Sequence, residues 1–328
     1  MPNSAHSSAT AAMSQGSGSA APLLARLKAR WPKSMRGDRL IAFLVLLPSI
    51  IAVAIFVYGF ILWTFRISFV QWDRFMPNLQ PDYTFVGLDN WRKLFFDDER
   101  FRIDLRNLAY YAGGFMSQCI IMGFILASLL DQKIKGESIF RTIFIFPFAV
   151  SGIVTGVAWK WLMYPSAGIN LLFEGVGLGF LKNNWYADTN YGTLAITIAA
   201  SWQMTGYIMA LYLAGLRGIS AELKEAAQID GANTWNLYRY VIVPMLMPVT
   251  FTAIVLTGMG SIRVFDLVAA VSGSGAGYAT DTLAFHMFQL TFQKNLFALG
   301  GTIAAFMIIL SAFLVGPYLA SMRHEVER

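Results

Sequence analysis

Six long apolar segments alternate with polar connections along most of the chain. The apolar segments fall near residues 40–65, 107–130, 139–163, 193–216, 245–271 and 297–320. At about 1.5 Å of rise per helical residue, each segment is long enough to cross a hydrocarbon core of about 30 Å. The pattern therefore predicts an all-α membrane protein whose six transmembrane helices lie within residues 40–320.

The composition supports a membrane protein and excludes several other classes. Of the 328 residues, 56% are hydrophobic and 13% are charged, whereas about 25% are charged in an ordinary soluble domain. So much apolar surface excludes a water-soluble globular protein and a disordered chain. The single cysteine, Cys119, excludes a disulfide framework and a thiolate metal cluster.

The basic residues predict how the helices are oriented. Residues 1–39, rich in Ser, Ala and Gly at first and basic later, are interpreted as a disordered cytoplasmic leader. If six helices alternate, the basic loops 131–141 and 217–244 and the tail 321–328 share a side with this leader. That side is the cytoplasm, so both termini are expected there. The mixed-charge segment 66–106 is interpreted as a small folded external loop.

Residues with catalytic chemistry are scarce. No Walker-type sequence occurs, so the chain is not expected to use ATP in the P-loop manner. His6, His286 and His324 lie far apart in the sequence and are interpreted as solvated or interfacial residues. The sequence therefore predicts that the chain is not an enzyme, has no catalytic residue or metal site, and binds no cofactor itself.

The loop 217–244 has an unusual pattern between the fourth and fifth apolar segments. Ser220 is a good N-cap, and Glu222 lies in a first turn, where the helix dipole favours a carboxylate. Gly231 is placed to end the helix, which has about two turns. An ordinary amphipathic connector could have this pattern. However, so short a helix is marginal alone in water, so it is expected to dock into another protein.

The spacing in this loop resembles that of a known family. Glu225-Ala-Ala227 is followed after three residues by Gly231, and after nine more by Val241-Ile-Val243-Pro244. This resembles the "EAA" loop of the permease subunits of binding-protein-dependent ABC importers, with Val at two positions where Ile and Leu are usual. The longer motif at residues 225–232 is typical of the carbohydrate branch of this family. The sequence resembles this family over about residues 40–320, including the stretches 147–159, 168–170, 265–268 and 280–282.

The resemblance implies a type I ABC importer permease that forms half of a sugar translocation path in a bacterial inner membrane. Its coupling helix would contact a separate ATP-binding subunit, which would carry the ATP and Mg. The residues implied at that contact are Glu225, Ala226, Ala227, Asp230 and Gly231. The other implied partners are a second homologous permease, a second ATP-binding subunit and an extracytoplasmic sugar-binding protein. Some stretches are similar to permeases of glucose/mannose importers.

A path for an uncharged, amphipathic sugar needs aromatic faces beside a few hydrogen-bonding groups. Two stretches offer this combination, and the resemblance implies that both line a central cavity. Their candidate residues are Ser201, Trp202, Gln203, Tyr207, Gly260, Arg263, Val264 and Asp266. Alternatively, the aromatic residues only pack between helices, and Arg263 and Asp266 only pair with each other instead of guarding the external mouth.

The main alternative function is a secondary transporter driven by an ion gradient. Such a protein usually needs carboxylates buried at mid-membrane. Apart from Asp266, the predicted spans contain none, which disfavours this alternative. A membrane-embedded enzyme is a weaker alternative, because no catalytic cluster is present.

Overall fold

The computed structural model describes residues 34–72, 83–132, 134–189 and 191–326. It divides the chain into two units, residues 1–59 and 60–328. In the described ranges the fold is helical, and the extended backbone pairing is limited to an isolated bridge between Val70 and Phe85. The predicted all-α class is therefore confirmed.

The described part of the first unit is a single apolar helical segment. Helix α1 (Ser34–Val53) leads into a π-helical turn, Ala54–Gly59. From residue 41 onward its side chains are nearly all exposed, as expected for a lipid-facing helix. The helix begins inside the segment predicted to be a disordered leader, so that prediction is wrong from residue 34 onward. Residues 1–33 of the predicted leader lie outside the described residues.

The second unit contains the remaining helices. They are α2 (Phe60–Ser68), α3 (Asp89–Arg92), α4 (Glu99–Leu130), α5 (Glu137–Ala149), α6 (Gly152–Leu162), α7 (Gly168–Gly175), α8 (Gly192–Gly218), α9 (Ala221–Ile229), α10 (Thr234–Leu237), α11 (Val243–Met245), α12 (Met247–Ile262), α13 (Asp266–Val271), α14 (Leu283–Phe288) and α15 (Phe297–Val326). Short π-helical or 3-10 turns lie at Lys93–Asp97, Gly179–Leu181, Trp185–Ala187, Tyr238–Ile242, Ala276–Tyr278 and Gln289–Gln293.

Among the described residues, 4 helical segments are long and apolar enough to cross a membrane, or up to 6 if each of two bent pairs is one span. The unbroken segments are Ile41–Ser68, Glu99–Leu130, Gly192–Gly218 and Phe297–Ala320. Helix α4 begins eight residues before the predicted start at 107, and α15 continues past the predicted end at 320. Both extensions arise because a helix can continue into the polar region beyond the hydrocarbon core.

The predicted third span, 139–163, is broken rather than continuous. Helices α5 and α6 are bent by 100° at the break. Pro147 lies in the last turn of α5, where its missing N–H and its ring weaken the helical hydrogen bonding. The hydroxyl of Ser151 then accepts a hydrogen bond from the Val154 N–H at 3.4 Å, so Ser151 is the N-cap of α6.

The predicted fifth span, 245–271, is also wrong as a single helix. Helix α12 ends at Ile262, and α13 begins only at Asp266. Arg263 is the C-cap of α12, and its Nε donates to the Met259 carbonyl at 3.3 Å. A basic side chain commonly satisfies the last carbonyls of a helix in this way. The break was hidden in the sequence because neither Gly nor Pro marks it.

Helices of the second unit approach one another closely around α8. A Cβ added to Gly206 would lie 2.5 Å from the Phe144 carbonyl carbon of α5 and closer still to its oxygen. On the side of α8 that faces α4, one buried cluster contains Tyr212 of α8 together with Phe115 and Cys119 of α4. Because lipid tails are as apolar as these side chains, close packing rather than transfer out of water holds such helices together.

A buried polar cluster joins the start of α4 to the segment around α14. The Arg100 guanidinium donates to Asp281 and to Gln289, both at 2.5 Å. His286 Nδ1 lies 2.6 Å from an Asp104 carboxylate oxygen, and both side chains are buried. The interpretation of His286 as solvated or interfacial is therefore wrong. Its acidic partner is 182 residues away along the chain, so sequence proximity could not reveal it.

Candidate functional site

A cavity of about 550 Å³ lies where α4, α8 and the break between α12 and α13 meet. Tyr111 and Phe115 of α4 form one wall, with their rings stacked 5.4 Å apart at 9°. Phe148 and Phe265 add two further aromatic side chains. The cavity therefore offers several aromatic faces, which suit the apolar face of an amphipathic ligand.

Three polar side chains line the same cavity: Gln203, Arg263 and Asp266. The Gln203 amide nitrogen donates to the Val150 carbonyl at 2.5 Å, at the bend between α5 and α6. This hydrogen bond satisfies a carbonyl that the bend frees from helical bonding, and it leaves the amide oxygen as an acceptor. Gln203 therefore fixes the bend and also faces the cavity.

Arg263 and Asp266 are both exposed, and among the described residues they make no ion pair with each other. The alternative in which these two side chains only neutralise one another is thus not the observed arrangement. A guanidinium and a carboxylate that face one cavity separately offer donors and acceptors to a ligand rich in hydroxyl groups.

The structure brings together five of the eight predicted path residues. Those lining the cavity are Gln203, Gly260, Arg263, Val264 and Asp266. Tyr207 is adjacent, because its ring stacks on that of Phe148 at 4.7 Å. Residues 203 and 207 are one helical turn apart, so both project towards the same side of α8.

Ser201 and Trp202 lie elsewhere, in contrast to the prediction. They line a separate cavity of about 410 Å³ against α5. The Trp202 ring packs edge-on against Trp159 of α6 at 6.0 Å. Trp202 and Gln203, although adjacent in α8, therefore line different cavities.

The aromatic residues that α4 contributes were not among the predicted path residues. Tyr111 and Phe115 are four positions apart, which places both on one helical face. This spacing was a usable signal, but aromatic pairs are common in membrane helices. Phe148 could not be found in this way, since the bend at Val150 decides where its ring points.

The second predicted site is α9, Ala221–Ile229, close to its predicted extent. Ser220 occupies the N-cap position with an extended backbone, although its side chain makes no capping hydrogen bond. Gly231 has a φ of +85°. Its N–H donates to Gln228, and the Ala232 N–H donates to Ala227, each at 3.0 Å. These two bonds form a Schellman motif, which requires a left-handed residue and explains the glycine.

Most of the predicted contact residues on α9 face outward. Glu225, Ala226, Asp230 and Gly231 are exposed. Ala227 is half-buried and packs against the core of the second unit, so its small side chain allows α9 to lie close to its own chain. Exposed apolar side chains surround this face, including Ile229 at 85% and Trp235 at 69% exposure. Such a mixed surface suits a protein partner.

Two ion pairs join this connector to the α4–α5 connection. Lys224 Nζ lies 3.0 Å from an Asp131 oxygen, with the two side chains 27% and 18% exposed. Arg217, at the end of α8, lies 2.7 Å from Glu137 at the start of α5. The loops 131–141 and 217–244, predicted to share one side of the membrane, therefore meet at one end of the unit.

The chain is therefore a helical membrane protein with a cavity among its helices and with a short helix, α9, held outside its candidate spans. The family model described as "Binding-protein-dependent transport system inner membrane component" matches residues 119–324. The chain belongs to this family, which confirms the resemblance and favours an ABC permease over a transporter driven by an ion gradient.

Individual relatives agree with this assignment. A "Probable ABC transporter permease protein" of Pyrococcus horikoshii is 41% identical over 84% of this chain and 93% of its own length. The xylose/arabinose import permease protein XacH of Haloferax volcanii is 31% identical over 82% of this chain and 84% of its own length. The fold is similar, with a TM-score of 0.74 and 20% identity, to a bacterial ABC transporter involved in alginate import, covering 89% of this chain and 98% of that one.

Proposed function

We propose that this chain forms half of the sugar path of an ATP-driven importer and is coupled to an ATP-binding subunit through α9. A second, homologous permease would complete the path, and two ATP-binding subunits would bind ATP and Mg. An extracytoplasmic binding protein would deliver the sugar to the outer loops, within 66–106, 164–192 and 272–296. Both termini would lie in the cytoplasm.

The coupling assignment rests on the geometry of α9. The helix presents Glu225, Ala226 and Asp230 to solvent, whereas Ala227 and Lys224 hold it against the body of the chain. A motion imposed on its outer face would therefore pass to α4 through the Lys224–Asp131 ion pair. The exposed carboxylates suit a basic cleft on the partner.

The sugar assignment rests on the central cavity. Its aromatic walls and separate Gln203, Arg263 and Asp266 side chains combine apolar faces with hydrogen-bonding groups, as an uncharged polyhydroxyl ligand requires. The relative XacH is a xylose/arabinose import permease protein. Together these observations favour a carbohydrate as the transported molecule.

The decisive experiment measures uptake by the assembled transporter in proteoliposomes. A panel of radiolabelled D-glucose, D-mannose, D-xylose and maltose is supplied with the binding protein. Uptake should require ATP and should survive collapse of the membrane potential by an ionophore. Loss of uptake on collapse of the potential, with ATP present, would contradict an ATP-driven importer.

The coupling helix is tested in the same vesicles with Glu225→Gln. We expect this variant to insert normally but to lose uptake and ATPase stimulation by the loaded binding protein. Glu222→Gln, which removes an exposed carboxylate from the first turn of the same helix, is the matched control and should retain uptake. Parental uptake by Glu225→Gln would count against α9 as the coupling contact.

A further inference from the structure

A second polar cavity, of about 420 Å³, lies between α4 and the start of α8. Its polar lining comes from both helices and from the segment before α8. These lining residues are Arg106, Asn107, Tyr110, Thr189, Tyr191, Thr193 and Thr197. The cavity is distinct from the central one, and none of these residues belongs to the sugar path predicted from the sequence.

The lining groups are available to a ligand. Arg106 is exposed and makes no hydrogen bond or ion pair within the described ranges. The rings of Tyr110 and Tyr191 are 68% and 52% exposed. Asn107 is 3% exposed, and its amide nitrogen donates to the Tyr278 carbonyl at 2.8 Å. That bond fixes the Asn107 side chain and leaves its oxygen to accept from a ligand.

The position of the cavity links it to the proposed path. Thr193 and Thr197 of α8 line the new cavity, whereas Ala200 and Met204 line the central one. Residues spaced by three or four positions share one helical face. The two cavities therefore follow each other along α8, about 4.5 Å apart between Thr197 and Ala200 at the helical rise per residue.

We infer that this cavity is an outer carbohydrate site, which holds the sugar before it enters the central cavity. The tyrosine rings supply apolar faces, Arg106 donates hydrogen bonds, and Asn107 and the threonine hydroxyls accept them. Among the described lining residues the charge is the positive charge of the Arg106 guanidinium. A neutral sugar or a sugar that bears a carboxylate therefore fits this cavity. The inference rests on the proposed function, which it extends by a second site.

Thiol labelling tests the inference in the assembled transporter without its binding protein. Tyr191→Cys and Thr189→Cys report on the outer cavity, Val264→Cys reports on the central cavity, and Phe180→Cys is an exposed control elsewhere in the outer loop. A membrane-impermeant maleimide is applied with and without the sugar that supports uptake. The native Cys119 is buried, so the parental chain supplies the background.

Sugar at ten times its dissociation constant would slow labelling of an occupied site about elevenfold. We expect this protection at Tyr191→Cys, Thr189→Cys and Val264→Cys, and none at Phe180→Cys. Protection at Val264→Cys alone would overturn the outer site and leave the proposed function intact. Protection at none of the four positions would contradict the sugar path itself.

Discussion

Gly231 has a left-handed backbone, so its replacement by alanine should act through the φ angle of this residue alone. A Cβ on Gly231 would meet no atom within 4 Å, so Gly231→Ala changes the backbone cost and creates no clash. At a φ of +85°, a non-glycine residue costs about 1–2 kcal/mol. That free energy lowers the equilibrium ratio of formed to unformed Schellman motif about fivefold to thirtyfold.

We expect Gly231→Ala to lower uptake as the formed fraction of the motif falls, because the C-terminus of α9 no longer presents Asp230 in one conformation. Gly231→Asn should retain more uptake than Gly231→Ala, since Asn adopts the left-handed region at lower cost. Gly218→Ala is the matched control, because Gly218, the last residue of α8, has open space around it and no positive φ. The assay is ATP-dependent uptake normalised to the inserted chain. Equal uptake by Gly231→Ala and the parental chain would refute the reasoning.

Three further predictions concern other contacts. Reversing the charge at Lys224 or at Asp131 should uncouple ATPase activity from uptake, because the variant loses a hydrogen-bonded ion pair of about 1–3 kcal/mol. Reversing both charges should restore coupling. A double variant as defective as either single variant would contradict this role. Gly206→Ala should prevent α8 from packing on α5 and should lower the yield of folded protein. Gly113→Ala is the control, because a Cβ at Gly113 meets no atom within 4 Å. Equal thermal stability of the Gly206→Ala variant and the parental chain would refute the close approach. Arg100→Gln should destabilise the chain by about 3–5 kcal/mol, because it leaves the buried Asp281 carboxylate without its cation. An unchanged melting temperature in detergent would contradict that role.

Local patterns in the sequence were sufficient for the helical class and for α9. The apolar segments are long enough to span a bilayer, and this property depends on consecutive residues alone. The extent of α9 follows from Ser220, the helix-forming run and Gly231, all within twelve positions. Because caps and propensities act between near neighbours, no tertiary contact was needed to predict them.

The break after Ile262 and the split between Trp202 and Gln203 could not be predicted. Arg263 ends α12 through a bond to a neighbouring carbonyl, but many arginines continue a helix. Gly206 lets α8 lie close to α5, and the face of α8 that meets the cavity depends on such packing. These outcomes depend on the packing of helices that are distant in sequence.

The sequence by itself determined that this protein is helical, crosses a membrane and carries a short helix between two of its spans. These properties follow from the hydrophobicity, spacing and capping of residues close together in the chain. Only the tertiary structure decided that Tyr111 and Phe115 join Gln203 and Asp266 around one cavity, and that Lys224 binds Asp131. The physical reason is that such contacts depend on where distant helices bend and how closely they pack, and no local pattern encodes that geometry.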